Sequence, residues 1–325
     1  MAVTAAGSIA PCLTGLDPAN YVPHALHGSD RAYVESNCYL DVIIELLAAS
    51  GRDPFAMLGG ALRVDFEGDQ FTFLKPWPED LELLYGVDIH EMQPYRSLRT
   101  QAVEQLATGR TVIVELDAFH LPDTAATSYG REHVKTSVAI EAIDDRGERL
   151  RYFHGTGLHE LSAGDYRGVF GLDAQPASAL PPYLELVRFD AAEQLPDEEL
   201  RRRATDLTRR HLAARPASNP FGRFGERLSA DLPTLLEADP DYYHDYAFAT
   251  VRMAGAAMEL ADTHACWLLG SAAAAARADL RRIIDGCKVL SFRLARRRPF
   301  SPEAEIAEIA GAWDRAMGAL DGLLA

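Results

Sequence analysis

The stretch ESNCYLDVIIELL, residues 35–47, decides how the first half of this chain folds. Its apolar residues recur at helical spacing after Cys38, so they predict a helix over 37–50 with one buried face. Ser36 or Asn37 is suited to cap the first turn. The Cys38 thiol then lies at the positive end of the helix dipole, which favours the nucleophilic thiolate. A buried structural cysteine is the alternative at this position.

The pattern after this helix is that of an α+β domain with a mostly antiparallel sheet. Residues 1–35 are irregular and are expected to lie across its surface. Further helices are predicted over 53–62, 78–86 and 98–108, and strands over 66–74, 111–116, 135–143 and 150–153. The turn Asp144-Asp145-Arg146-Gly147 joins the last two strands into a hairpin.

The second half of the chain has almost no strand pattern and is predicted to be all-helical. Residues 176–182 form a proline-containing linker. Helices are predicted over 196–214, 220–238, 241–269, 272–297 and 302–323. We therefore expect two domains, 1–180 and 181–325, because 325 residues exceed one ordinary compact core.

Composition narrows the classes of partner. With 32 basic and 48 acidic residues the net charge is −16, which argues against nucleic acid and anionic membrane as partners. No apolar run approaches the roughly 20 residues that span a bilayer, and the N-terminus has no signal-peptide pattern. The four cysteines show neither CxxC nor metal-ligand spacing: Cys12, Cys38, Cys266 and Cys287. They predict reduced thiols in a cytoplasmic protein without a bound metal.

The charge is unevenly distributed. Residues 1–195 hold 14 basic and 29 acidic side chains, whereas residues 196–325 hold 18 and 19. The arginines of the second half are clustered: Arg201, Arg202, Arg203, Arg209, Arg210, Arg281, Arg282, Arg293, Arg296, Arg297 and Arg298. They form either solvated helix faces or a docking patch for an acidic protein or a phosphate.

A cysteine nucleophile needs a base, and His133 is the candidate because it opens the strand that continues to residue 143. In papain-like folds the cysteine helix packs on a sheet, and the chain order is cysteine, histidine, then an Asn or Asp. Cys38 followed by His133 matches that order. Asn37 and the backbone N–H of the nucleophile are candidates for an oxyanion hole. A surface or capping histidine is the alternative for His133.

The third catalytic residue is open. Asp117 follows the strand over 111–116, where its carboxylate either orients His133, binds a substrate amine or caps the turn. His154 and Asp144 are the alternatives. An Asn or Asp is expected after the strand that ends near Phe153, and none stands there.

Several motifs together are similar to domain-of-unknown-function family 1839. They run through both halves: Asn37 to Tyr39, Asp65 to Gln70, Glu115 to Pro122, His133 to Thr136, Tyr246 to Arg252 and Trp313 to Met317. The resemblance covers most of the chain. Gly155 stands where relatives often have Asn, which leaves a triad built on that position incomplete.

A more distant resemblance, through Cys38, the segment from Asp117 to Pro122 and His133, is to the N-terminal domain of the butirosin biosynthesis acyltransferase BtrH. This resemblance implies a papain-like catalytic domain followed by a helical lid or partner-docking domain. It also implies transfer of an aminoacyl group from a carrier-protein thioester to a small amine, in natural-product biosynthesis. The donor would be carried on the phosphopantetheine of the carrier protein, with no other cofactor.

Charged residues within apolar or acidic segments are candidates for substrate binding. Arg252 and Glu259 lie seven residues apart, on one helix face, where they bind a charged amino acid or form an internal salt-bridge or capping network. The same alternatives apply to Lys288 and Arg293. Asp69 and Gln70, with the neighbouring acidic residues Asp65 and Glu67, are candidates for binding an amine or belong to a turn.

Three functions follow, in this order. The first is a cysteine-dependent aminoacyltransferase that forms an acyl-Cys38 intermediate and uses His133 as the base for the acceptor amine. The second is a hydrolase (peptidase, amidase or thioesterase) with the same site. The third is a non-catalytic binding protein on the same scaffold, in which Cys38 lies beyond hydrogen-bond reach of any imidazole.

Overall fold

The protein is described by a computed structural model that covers residues 12–173 and 181–325. The chain divides into two compact units, and each contains segments distant in sequence. The described residues of unit 1 fall within Met1–Ser29, Asn37–Asp53 and Leu81–Gln194. Unit 2 comprises Asp30–Ser36, Pro54–Asp80 and Leu195–Ala325.

The helices and strands of the described residues are as follows. The helices are α1 (Cys38–Ala49), α2 (Pro78–Tyr85), α3 (Leu98–Leu106), α4 (Ala163–Val169), α5 (Asp197–Ala213), α6 (Pro220–Glu237), α7 (Pro240–Ala247), α8 (Met253–Leu269), α9 (Ala274–Ala295) and α10 (Glu303–Leu324). The strands are β1 (Phe66–Glu67), β2 (Gln70–Phe71), β3 (Asp88–Glu91), β4 (Thr111–Asp117), β5 (Lys135–Asp144), β6 (Arg149–His154), β7 (Gly157–Ser162) and β8 (Leu184–Arg188).

Unit 1 is built on a six-stranded sheet in the order β3-β8-β4-β5-β6-β7, with every neighbouring pair antiparallel. Alternate residues of a strand point to opposite faces. The even-numbered residues of β4, such as Val112 and Val114, join a buried cluster with α3 and α4. Helix α1 packs on the other face, against β5 and β6. Two apolar layers therefore enclose the sheet.

Unit 2 is mainly helical. Helices α8, α9 and α10 pack side by side, and α6 packs on α10. Gly286 of α9 faces Ile309 of α10 so closely that a Cβ would lie 2.5 Å from the Ile309 side chain. The helices predicted for this part of the chain are all present, and a single π-helical turn, Phe248–Arg252, interrupts the segment predicted over 241–269. The α+β and all-helical fold class is confirmed.

The prediction of one strand over 66–74 is wrong. Two short strands, β1 and β2, form a hairpin instead, because Gly68 has a φ of +75° and turns the chain back. The segment over 53–62 is a 3₁₀ helix, Pro54–Arg63.

The predicted boundary at residues 180/181 also requires correction. Strand β8 was not predicted, yet it lies between β3 and β4 in the sheet, and unit 1 continues to Gln194. A five-residue segment that follows a proline-rich stretch shows little strand pattern by itself. Pairing with a strand on each side stabilises β8. Most of the linker predicted over 176–182 lies outside the described residues.

Among the described residues, no helix is both long and apolar enough to cross a membrane.

Candidate active site

Cys38 is the first residue of α1, and its side chain is half-buried. The helix starts there because Asn37 is its N-cap: the Oδ1 atom accepts a hydrogen bond of 2.9 Å from the Leu40 N–H. Asn37 is only 3% exposed, so this cap is shielded from water. The thiol consequently lies where the helix dipole stabilises negative charge.

The hydrogen-bond partner of the Cys38 thiol is the hydroxyl of Ser137 in β5, with Sγ and Oγ 3.6 Å apart. Ser137 pairs in register with Glu115 of β4. Both side chains therefore project from the sheet face on which α1 packs. This contact places the N-terminus of α1 over the first residues of β5.

Asp117 and His133 form a second polar pair in unit 1, with Oδ2 and Nδ1 2.6 Å apart. Phe119 stacks on the imidazole, with ring centroids 4.5 Å apart and an interplanar angle of 11°. Burial alone would raise the pKa of Asp117, but hydrogen bonds from His133 and the Phe119 N–H lower it below its usual value. The predicted orientation of His133 by Asp117 is therefore present as a contact.

Charged residues link these two contacts along β4 and β5. Lys135 pairs in register with Asp117, and its Nζ lies 2.7 Å from Oε1 of Glu115. Because the residues are odd-numbered in both strands, Ser137, Glu115, Lys135 and Asp117 share the α1 face. We call these four residues and His133 the polar strip.

Cys38 and His133 do not touch each other. Among the described residues, the thiol hydrogen-bonds to Ser137 and to no imidazole. His133 precedes Ser137 by four residues, about 13 Å along an extended strand. Its imidazole is 71% exposed. The expectation of a direct thiol–imidazole pair is therefore not met, because the helix N-terminus meets β5 at residue 137.

The two alternatives for the third catalytic residue lie elsewhere. His154 hydrogen-bonds through Nε2 to Oγ1 of Thr136 at 2.8 Å and through Nδ1 to Asp123 at 2.5 Å. Since Thr136 and Ser137 alternate along β5, these residues occupy the opposite sheet face from Cys38. Asp144 is at the far end of β5, where it accepts a hydrogen bond from the Gly147 N–H in the hairpin turn. Neither can orient His133.

Glu259 is not available to a substrate. Its two carboxylate oxygens accept hydrogen bonds from the backbone N–H groups of Ala32 and Tyr33, at 2.8 and 2.9 Å, and Arg31 pairs with it at 3.5 Å. Arg252 forms no ion pair with it and instead donates to the backbone carbonyl of Glu35 at 3.2 Å. Glu259 therefore has the predicted internal role, but its charged partner is Arg31 and not Arg252.

The other substrate-binding candidates belong to unit 2, not to the unit that holds Cys38. Asp69 and Gln70 are exposed at the β1–β2 hairpin. Asp65 forms an ion pair with Arg223. Arg293 pairs with Glu305, whereas Lys288 has no ion pair among the described residues.

Part of the arginine cluster of the second half is neutralised along its own helices. Arg202 and Arg203 pair with Glu199, and Arg209 pairs with Asp206, at helical spacings of three or four residues. This is the pattern of solvated, ion-paired helix faces.

Sequence reasoning missed Ser137, Lys135 and Glu115. The usable signal was the alternation of polar and apolar residues at the start of β5, which puts Lys135 and Ser137 on one face. Their proximity to Cys38 depends on where α1 crosses the sheet, and no local pattern encodes that crossing.

The other thiols differ from Cys38 in their surroundings. Burial, reinforced by Glu141, raises the pKa of Cys12 to about 12, and burial alone raises that of Cys287 to about 12. Neither favours a thiolate. In the part of the chain that the structure describes, no group of three or more His, Cys, Asp or Glu side chains is arranged to hold a metal ion.

Two family models match the chain. The model described as the DUF1839 N-terminal domain matches residues 22–189, and that described as the DUF1839 C-terminal domain matches residues 197–322. The interval between the two matches follows β8. The boundary between the two units, after Gln194, lies within this interval. None of the curated proteins compared with the chain matches it.

Proposed function

The chain belongs to the DUF1839 family, and we propose that it is an acyltransferase with Cys38 as its nucleophile. The proposed donor is an aminoacyl group held as a thioester on the phosphopantetheine of a carrier protein. The proposed acceptor is a small amine, and the setting is cytoplasmic natural-product biosynthesis. The predicted similarity to BtrH supports this reaction class. Both the similarity and the reaction remain predictions.

One observation carries the proposal: a half-buried thiol at the first residue of α1 shares a sheet face with an Asp117–His133 pair. A helix N-terminus favours a thiolate, and an aspartate beside an imidazole stabilises its protonated form. These are the two charges that acyl transfer creates at the enzyme. Both groups belong to unit 1.

The first step is thioester exchange. The Cys38 thiolate attacks the carbonyl carbon of the donor, the new C–S bond forms, and the bond to the pantetheine sulfur breaks. The departing thiolate takes a proton from solvent. A thioester has a good leaving group, so this step does not require His133 within reach of Cys38.

In the second step the acceptor amine attacks acyl-Cys38. The C–N bond forms, the C–S bond breaks, and the Cys38 thiolate returns. The proton of the attacking amine passes to His133 through bound water, because His133 lies beyond direct hydrogen-bond reach of Cys38, and Asp117 stabilises the imidazolium.

The contact between Cys38 and Ser137 favours a second candidate, a non-catalytic binding protein. In that case the Ser137 hydroxyl occupies the position beside the Cys38 thiol that a catalytic base would otherwise take. The polar strip would then bind a ligand without converting it chemically. The two candidates differ in whether a covalent adduct forms.

The test is to incubate the full chain with a panel of aminoacyl-pantetheine thioesters and aminoacylated carrier proteins and to measure intact mass. We expect one acyl group to be added to the wild type and to Cys266→Ala, which removes another half-buried thiol. Cys38→Ala should gain nothing. An adduct that persists in Cys38→Ala would overturn the proposed nucleophile.

His133→Gln separates the two steps. We expect the acyl-Cys38 adduct to form at close to the wild-type rate but to transfer to an added amine about 100-fold more slowly, the usual contribution of a general base. Single-turnover mass spectrometry measures both rates. Adduct formation without covalent transfer to any amine, together with release of free amino acid, would identify water as the acceptor.

A further inference from the structure

A cavity of about 560 Å³ lies within unit 2, whereas the polar strip belongs to unit 1. Its volume is in the range of small-molecule sites. Helices α7 and α9, the π-helical turn and the segment before α1 contribute its walls. The side chains that matter here are Tyr33, His244, Phe248, Arg252, Lys288 and Phe292.

The backbone at the cavity is unusual. The π-helical turn Phe248–Arg252 joins α7 to α8, and its first and last residues both line the cavity. The guanidinium of Arg252 lies over the Phe248 ring, 5.7 Å from the centroid. Single π-helical turns are rare and occur frequently at functional sites.

Two cations at the cavity have no carboxylate partner. Neither Arg252 nor Lys288 forms an ion pair with any described residue. Other cations of the unit are paired, for example Arg277 with Asp262 at 2.8 Å and Arg293 with Glu305. Two unpaired positive charges beside one cavity, in a chain of net charge −16, indicate a site for an anion.

Two residues that line the cavity also have buried polar atoms without partners. The Nε atom of Arg252 and the hydroxyl of Tyr33 are buried and have no hydrogen-bond partner among the described residues. Such groups cost free energy unless a ligand or water satisfies them. The Nε–H group of Arg252 can only donate and so needs an acceptor, whereas the Tyr33 hydroxyl can donate or accept.

Neighbouring carboxylates do not fill this role. Glu259 is engaged by the N–H groups of Ala32 and Tyr33, and Asp285 is exposed on α9 and is not part of the cavity wall. The aromatic rings of Phe248 and Phe292 are 42% and 68% exposed. An exposed aromatic pair beside two cations suits a ligand with an apolar part next to its charge.

We propose that this cavity binds a small organic oxyanion, a phosphate or carboxylate attached to an apolar group. Arg252 and Lys288 hold the oxyanion by charge-assisted hydrogen bonds, and Phe248 and Phe292 contact the apolar group. A dianionic phosphate matches two cations better than a carboxylate does. This site does not depend on Cys38 acting as a nucleophile.

Calorimetric titration of the full chain with phenyl phosphate tests the site. We expect one molecule to bind, and Lys288→Gln to weaken binding about tenfold, because a charge-assisted contact is lost. Arg296→Gln is the matched control: it removes one exposed positive charge at the end of the same helix but outside the cavity wall, and binding should be unchanged. Benzoate should bind more weakly than phenyl phosphate.

The Phe292→Ala variant, titrated with phenyl phosphate and with inorganic phosphate, distinguishes the contact with the apolar group from the contact with the oxyanion. We expect the substitution to weaken phenyl phosphate several-fold and to leave inorganic phosphate unchanged. Because Phe292 is exposed and Lys288 has no ion pair, both variants should fold, which melting temperatures will verify. No binding of phenyl phosphate to wild type, or equal weakening by Lys288→Gln and Arg296→Gln, would overturn the proposal.

Discussion

At the scale of single residues, the buried charges of α1 are the most consequential feature outside the candidate site. His27 contacts Glu45 through Nδ1 and lies 3.3 Å from Asp41 through Nε2. Tyr21 donates a hydrogen bond of 2.5 Å to the same Glu45 carboxylate. These contacts fasten the segment before α1 to the helix that carries Cys38. Removal of one member would leave a buried charge uncompensated.

We predict that His27 makes stability fall as the pH rises. Burial lowers the pKa of His27, but the hydrogen bonds to Asp41 and Glu45 outweigh it and raise the pKa to about 9. The folded state therefore holds the proton more tightly than the unfolded state. The stabilisation is complete below about pH 6.5, the unfolded value, and is lost as the pH passes 9.

Urea unfolding at a series of pH values measures this effect. We expect the free energy of unfolding to fall by about 3 kcal/mol between pH 6.5 and 9, at 1.36 kcal/mol per pKa unit. His27→Gln should lack this slope. His90→Gln, which alters an exposed histidine, should retain it. Equal slopes in both variants would contradict the assignment.

At the scale of elements, α1 depends on its cap. Asn37→Ala should destabilise the protein by about 1–2 kcal/mol, since the Leu40 N–H loses its acceptor in a buried site. It should also slow the reaction of Cys38 with iodoacetamide, because a frayed first turn no longer presents an ordered helix N-terminus to the thiol. Chemical denaturation and alkylation rates measure the two effects.

Ser97→Ala is the matched control for the cap. Ser97 caps α3 by accepting a hydrogen bond from the Thr100 N–H, and this cap is exposed. We expect a loss of less than about 1 kcal/mol and no change in the alkylation of Cys38. If the two substitutions had equal effects on alkylation, the thiol's reactivity would not depend on α1.

At the scale of the whole molecule, β8 decides where unit 1 ends. Val187 of this strand is fully buried and pairs with Ile89 on one side and Thr111 on the other. Val187→Asp would bury a carboxylate without a partner and should cost about 4 kcal/mol or more. We expect little soluble folded protein, as judged by yield and circular dichroism.

Val289→Asp provides the comparison. Val289 lies on α9 and is 41% exposed, so the same substitution there should be nearly neutral. Normal folding of Val187→Asp would show that residues 184–188 are dispensable to the sheet and would restore the boundary predicted after residue 180.

Regular periodicity made most elements predictable. The apolar spacing after Cys38 predicted α1, the buried run over 111–116 predicted β4, and the helical half was predicted almost element by element. The exceptions are short: β1 and β2 have two residues each, β3 has four, β8 has five, β7 has six and α4 has seven. Such strands gain their stability from neighbours in the sheet, which a local pattern does not reveal.

The sequence by itself determined the α+β and helical halves, the position of Cys38 at a helix N-terminus and the candidate pairing of Asp117 with His133. Only the tertiary structure decided that Ser137, not an imidazole, meets the thiol, that His154 lies on the opposite sheet face, and that Arg252 and Lys288 share a cavity. The physical reason is the separation along the chain of the residues that interact. Helix and strand periods arise from neighbours in the chain, whereas these contacts depend on how α1 crosses the sheet and how distant helices pack.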